Sequence, residues 1–146
     1  MITIKQARWN IISSQTLGKI GNRTRKKILL VDDEPDITFT LQRGLEESGM
    51  FEVDAFNDPQ MALSSFKPGY YDFMLIDIRM PKIDGYELYD KLRNIDSKVK
   101  SCFITAYEIN YKALREQFPS IEMECYAKPL EINELIRKIN EELKDH

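Results

Sequence analysis

The chain predicts an α/β fold, a doubly wound parallel sheet of five strands with helices on both faces. Three observations carry this. From residue 27 onward, short apolar runs alternate with amphipathic stretches, the pattern of crossover units whose strands lie parallel. Two runs, KILLV at 27–31 and DFMLI at 72–76, have unbroken apolar cores, as strands covered on both faces require. Acidic, hydroxyl or amine side chains close four of the runs, and an open parallel sheet gathers such strand ends into one crevice.

Each element has its own signals. FEVDAF and IEMECYA alternate apolar with polar side chains and read as edge strands, whereas KILLV and DFMLI suit the centre. Residues 35–48 open with a proline and acids, set Ile37, Leu41 and Leu45 on one stripe, and stop at Gly49. Asp58-Pro59 starts a short second helix that ends before Pro68-Gly69. Residues 85–94 give a third, with Leu88, Tyr89 and Leu92 inward. Tyr111, Leu114 and Phe118 mark a fourth, and Ile132, Leu135, Ile136, Ile139 and Leu143 a fifth.

A chain of 146 residues has room for one ordinary domain, so a stand-alone unit is expected. Residues 1–27 hold seven basic side chains and no acid, leaving 14 basic against 24 acidic residues beyond them, a net of −10. The division expected is a basic extension over residues 1–25, with IKQARWNII as a segment able to pack locally, and a folded domain over residues 26–146. An acidic body disfavours direct nucleic-acid binding, whose affinity comes largely from cations facing phosphates. No apolar run approaches the roughly 18 to 20 residues of a membrane span, and no signal-sequence pattern appears, so no membrane partner and a cytoplasmic location are expected. Cys102 and Cys125 lack metal-ligand spacing and read as reduced thiols within strands. His146, the only histidine, is terminal and unsuited to catalysis.

The strand ends carry the chemistry. Asp32-Asp33 follow ILLV, Asp77 follows FMLI, Thr105 follows CFI and Lys128 follows CYA. Three carboxylates on one rim repel, and a hard divalent cation with a preference for oxygen ligands reconciles them; Mg²⁺ fits. A carboxylate can attack phosphorus to form an acyl phosphate, provided positive charge faces the phosphoryl oxygens from both sides. Asp77, Asp33, a cation and Lys128 fit those needs. Any one of these residues alone would be an ordinary solvated charge at a strand end; their combination and order favour a site.

VDDE at 31–34, DIRMPKIDG at 77–85, FITAY at 103–107 and AKPL at 127–130 resemble the receiver domain of two-component response regulators, over about residues 26–144. The resemblance implies a flavodoxin-like (βα)5 fold with strand order 2-1-3-4-5. It implies Asp77 as phosphoacceptor and Asp33 and Asp77 as direct Mg²⁺ ligands, with Asp32 acting through water and the Arg79 carbonyl as a further ligand. Thr105 becomes the hydroxyl that closes on the phosphoryl group and Lys128 its counter-charge, aimed by a cis bond to Pro129. The phosphodonor would be a histidine kinase or phosphotransfer protein, and the output a change of shape read by a downstream protein. Pro81 and Gly85 keep the family's offsets from Asp77. Cys125 stands where the family's switch aromatic is expected, and Tyr126 falls on the opposite strand face. Two other readings compete. A non-phosphorylated scaffold would not need Asp32, Asp33, Asp77, Thr105 and Lys128 together. An aspartate-dependent phosphohydrolase would need a general acid beside its nucleophile, where IDIRMP offers an isoleucine and an arginine.

Overall fold

The computed structural model describes residues 25–105, 111–117, 126–127 and 131–144. Strands and helices alternate as expected: β1 (Lys26–Val31), α1 (Pro35–Glu47), β2 (Phe51–Phe56), α2 (Pro59–Ser65), β3 (Phe73–Asp77), α3 (Gly85–Ile95), β4 (Lys100–Thr105), α4 (Tyr111–Gln117), β5 (Tyr126–Ala127) and α5 (Ile132–Lys144). The five strands form one sheet in the order β2-β1-β3-β4-β5, with every neighbouring pair parallel. FEVDAF, as β2, and the described end of IEMECYA, as β5, are therefore its edges.

Strand pleat explains why the central runs are apolar throughout. Leu29 and Val31 of β1, Met74 and Ile76 of β3 and Phe103 of β4 face a core layer closed by Ala62 of α2 and by Leu88, Tyr89 and Leu92 of α3. Ile28 and Leu30, Phe73 and Leu75, and Cys102 and Ile104 face the other way, against Leu41 and Leu45 of α1 and Leu135 and Ile139 of α5. Successive side chains point to opposite faces, so a strand covered on both sides has no polar position to spare. Complete burial of one such side chain contributes about 1.5 to 3 kcal/mol, and Leu29, Leu30, Leu75 and Ile76 are each fully enclosed.

Helix ends follow from local chemistry. Pro35 stands in the first turn of α1, where its missing N–H costs nothing, and Gly49 takes a φ of 80° just beyond the helix. Asp58 accepts from the Gln60 amide at 2.9 Å to cap α2, and Asp84 accepts from the Glu87 amide at 2.9 Å to cap α3. These caps start both helices directly after the loops that leave the carboxyl ends of β2 and β3.

At the amino ends of β1 and β3, Asp72 Oδ2 accepts from the Lys27 amide and the Asp72 amide donates to the Lys27 carbonyl, both at 2.8 Å. Close by, the buried Tyr71 hydroxyl donates to Asp54 at 2.8 Å. Burial raises the Tyr71 pKa, and the hydrogen bond to Asp54 with its negative charge raises it further. Burial alone would lower the pKa of Lys27, but Tyr70, Glu52 and Asp54 outweigh it and the net shift is upward. Both groups hold a proton in the folded state that the unfolded chain loses near pH 10, so their contribution is complete below about that pH and is lost above it. Urea unfolding followed from about pH 9 to 11 should show stability falling with pH, and Tyr71→Phe should make that fall shallower.

Candidate functional site

The chain leaves β1 for β2 on one side and returns to place β3 on the other, so connections diverge at the carboxyl ends of β1 and β3. Such a switch point leaves a crevice between the two connections. Register then sets what faces it. Val31 lies opposite Ile76, which puts Asp32 level with Asp77, and Asp77 lies opposite Ile104, which puts Thr105 one residue beyond it. The Asp32 amide continues the ladder to the Phe56 carbonyl at 3.1 Å, and the Ile78 amide continues it to the Ile104 carbonyl at 3.0 Å. Adjacent strands thus extend to the same level before their loops begin.

Asp32 and Asp77 are buried and Asp33 half-buried, and one carboxylate oxygen from each lies within 4.8 Å of the others. At about 4 Å and an effective dielectric of 20, a pair of like charges repels by about 4 kcal/mol, less for Asp33, which water reaches and screens. An oxygen-only donor set with this excess of negative charge matches a hard divalent cation. Asp32 Oδ1 also accepts the Glu34 amide at 2.9 Å, which turns the chain into α1 and ties down one of its oxygens. Thr105 is 1% exposed at the end of β4.

The loop after Asp77 is drawn tight. The Gly85 amide donates to the Ile78 carbonyl at 2.7 Å and the Ile83 amide to the Pro81 carbonyl at 2.9 Å, while Lys82 takes a φ of 72°. Gly85 is required by contact rather than by φ. A Cβ there would stand 2.2 Å from the Asp77 carbonyl oxygen and 2.8 Å from the Ile78 Cα. The first turn of α3 therefore packs directly on the backbone that carries Asp77.

Of the residues singled out in the sequence, Asp32, Asp33 and Asp77 are brought together, and Thr105 ends the strand beside Asp77. Arg79 lies in the following loop with its side chain exposed. Lys128, Pro129 and Cys125 lie outside the described residues, as do residues 1–24, Tyr107, Phe118 and His146. Sequence reasoning missed Asn57, whose side chain donates to the Asp32 carbonyl at 2.8 Å. The available signal was its position: one residue beyond an apolar run whose strand neighbours β1.

A parallel sheet in this order with an acidic triad at its switch point is the arrangement that the resemblance to receiver domains implies. The sequence pattern of the response regulator receiver domain matches residues 28–140, and the chain belongs to that family. It is 28% identical over 117 residues to the transcriptional regulatory protein PcoR of Escherichia coli, covering 78% of this chain and 50% of that protein. It is 39% identical over 83 residues to the transcriptional regulatory protein PrrA of Mycobacterium tuberculosis, covering 57% of this chain and 35% of that one. The chain thus spans half or less of the length of these relatives. Among solved structures, a CheY-like response regulator receiver domain protein from Methanospirillum hungatei JF-1 is similar, with a TM-score of 0.70 and 25% identity over 83% of this chain and 95% of that one. The non-phosphorylated HemR receiver domain of Leptospira biflexa shares the fold, with a TM-score of 0.73 and 22% identity over 84% of this chain and 97% of that one.

The contact at Gly85 has a measurable consequence. Gly85→Ala must push α3 off backbone that cannot yield, and overpacking of this kind costs about 1 to 3 kcal/mol. Urea denaturation should show that loss.

Proposed function

We propose that this protein is a phosphoacceptor switch, receiving a phosphoryl group on Asp77 from a histidine kinase or phosphotransfer protein. The observation that carries the reading is the convergence of Asp32, Asp33 and Asp77 at the switch point, with Thr105 at the adjacent strand end.

An Asp77 carboxylate oxygen attacks the phosphorus of the donor's phosphohistidine. The new O–P bond forms as the N–P bond breaks, and the departing electron pair stays on the imidazole nitrogen. Asp77 suits the role of nucleophile because the loop closed by Gly85 holds its backbone still, and positioning accounts for most of what a protein contributes to such a transfer. Asp33 and Asp77 would hold Mg²⁺, with the Arg79 carbonyl as a further ligand and Asp32 acting through water. When bound, the cation would supply positive charge to the phosphoryl oxygens. Thr105 would donate its hydroxyl to the phosphoryl group, and Lys128 would provide a second positive charge.

The chain's chemistry is limited to its own phosphorylation and dephosphorylation. It is no metabolic enzyme in this reading. Residues 26–146 act as the receiver and residues 1–25 as an extension. The output is a shape change recognised by a downstream protein, since a partner reads a switch by binding its two states unequally. The relatives' descriptions as transcriptional regulators support a place upstream of gene control, while the acidic body argues against direct DNA contact by this domain. Among the described residues no helix is long and apolar enough to cross a membrane, which supports a cytoplasmic setting.

With a small phosphoramidate or acyl phosphate donor and Mg²⁺, intact mass spectrometry should show one phosphoryl group added to the full chain. Asp77→Asn should show none, and undiminished labelling of that variant would defeat the assignment. Mg²⁺ should also raise thermal stability by itself, by about 1.4 kcal/mol at ten times its dissociation constant. Asp33→Ala should blunt the response in a melting series across millimolar Mg²⁺.

A further inference from the structure

We propose that Asn57 positions the acidic pair for its cation, an inference that rests on the reading of Asp33 and Asp77 as ligands. Asn57 follows β2 directly, and its amide nitrogen makes two bonds. It donates to the Asp32 carbonyl at 2.8 Å and to the Thr38 hydroxyl at 2.9 Å, and that hydroxyl in turn donates to the Pro35 carbonyl at 3.0 Å. A carbonyl oxygen can only accept, which fixes which end of the Asn57 amide faces it. Both hydrogens of the amide nitrogen are thereby used.

The geometry matters because of which peptide is held. The Asp32 carbonyl belongs to the peptide plane that joins Asp32 to Asp33. The Asp32 amide is already fixed to the Phe56 carbonyl at 3.1 Å, so consecutive residues of one strand end, Phe56 and Asn57, grip Asp32 at both its backbone groups. Rotation about the Asp32 Cα–C bond would turn that plane and move the Asp33 Cα and its carboxylate relative to Asp77. The Asp32 amide lies just beyond β1, and Asn57 extends the control one peptide further, toward the Asp33 side chain.

The neighbouring residue makes a weaker link of the same kind. Asp58 Oδ2 lies 3.6 Å from the Lys82 ammonium in the loop after Asp77, with the lysine side chain 59% exposed. Exposed pairs at such a distance contribute little, so the grip on the Asp32–Asp33 peptide is the one with consequence. Asn57 touches no reacting atom; it is a positioning residue, comparable to the outer partners that orient metal ligands, whose loss commonly costs 10- to 100-fold in affinity.

The test is a Mg²⁺ titration of the full chain, followed by amide chemical shifts, with a second readout in the absence of metal. Asn57→Ala should weaken Mg²⁺ roughly tenfold, and should speed hydrogen exchange at the Glu34 amide, which bonds Asp32 Oδ1, in metal-free protein. Asn57→Asp, the same size but without a donor, should speed that exchange equally. Thr38→Val removes the other acceptor and leaves the bond to Asp32, so it should lower the melting temperature without changing Mg²⁺ affinity. Unchanged affinity in Asn57→Ala, or an equal loss in Thr38→Val, would overturn the proposal. Should the wild-type chain bind no Mg²⁺, the metal reading falls, and metal-free exchange still decides on Asn57: an unchanged Glu34 rate would show that it holds nothing.

Discussion

Carboxylates that repel must be held together by something stronger than their own preference, and here it is backbone pairing. Asp32 follows β1 directly and Asp77 is the last residue of β3, each still tied into the ladder of parallel strand bonds, and the register between β1 and β3 leaves them level. To separate, either residue would have to draw its strand out of a sheet whose central side chains are fully enclosed on both faces. Several buried leucines and isoleucines at about 1.5 to 3 kcal/mol each exceed the few kcal/mol of repulsion between the acids. The fold therefore stores an unfavourable arrangement that a bound cation would relieve.

That arrangement depends on loops as much as on strands. On the Asp77 side, the Gly85 contact lets the start of α3 rest against the Asp77 backbone, with no side chain between them. On the Asp32 side, the Glu34 amide and the Asn57 side chain secure the turn into α1. Both loops lead into capped or proline-led helices, so the chain becomes rigid again within a few residues of each acid. Thr105 follows from the third strand of the same rim and needs no loop to place it.

Much of this was legible in the residues, for physical reasons that also mark where legibility stops. KILLV and DFMLI could be read as central strands because burial on two faces excludes polar positions, and Leu41, Leu45, Leu135 and Ile139 could be read as inward because helix packing demands a stripe. The carboxyl-end acids stood out because several strands end in chemistry of one kind. Strand order did not follow from the residues and came from resemblance to the receiver family; the sheet has that order. Gly85 stands out in the residues only by its family offset from Asp77, whereas its need for absent side-chain volume is a contact between β3 and α3 that no local pattern encodes. Asn57 was passed over because it acts across 25 positions through one side-chain bond to a backbone carbonyl, and Asn before Asp-Pro looks like ordinary loop punctuation.

The claim on which the account turns is that these carboxylates form one phosphoryl-accepting centre with Asp77 as its nucleophile. A crystal structure of the full chain with Mg²⁺ and trifluoroberyllate, a tetrahedral stand-in for a phosphoryl group, tests it most directly. The account predicts beryllium bonded to an Asp77 carboxylate oxygen, with Mg²⁺ about 2.0 to 2.1 Å from oxygens of Asp33 and Asp77. Beryllium on another side chain, or a cation bound away from the triad while Asp77 stays unmodified at saturating reagent, would contradict it.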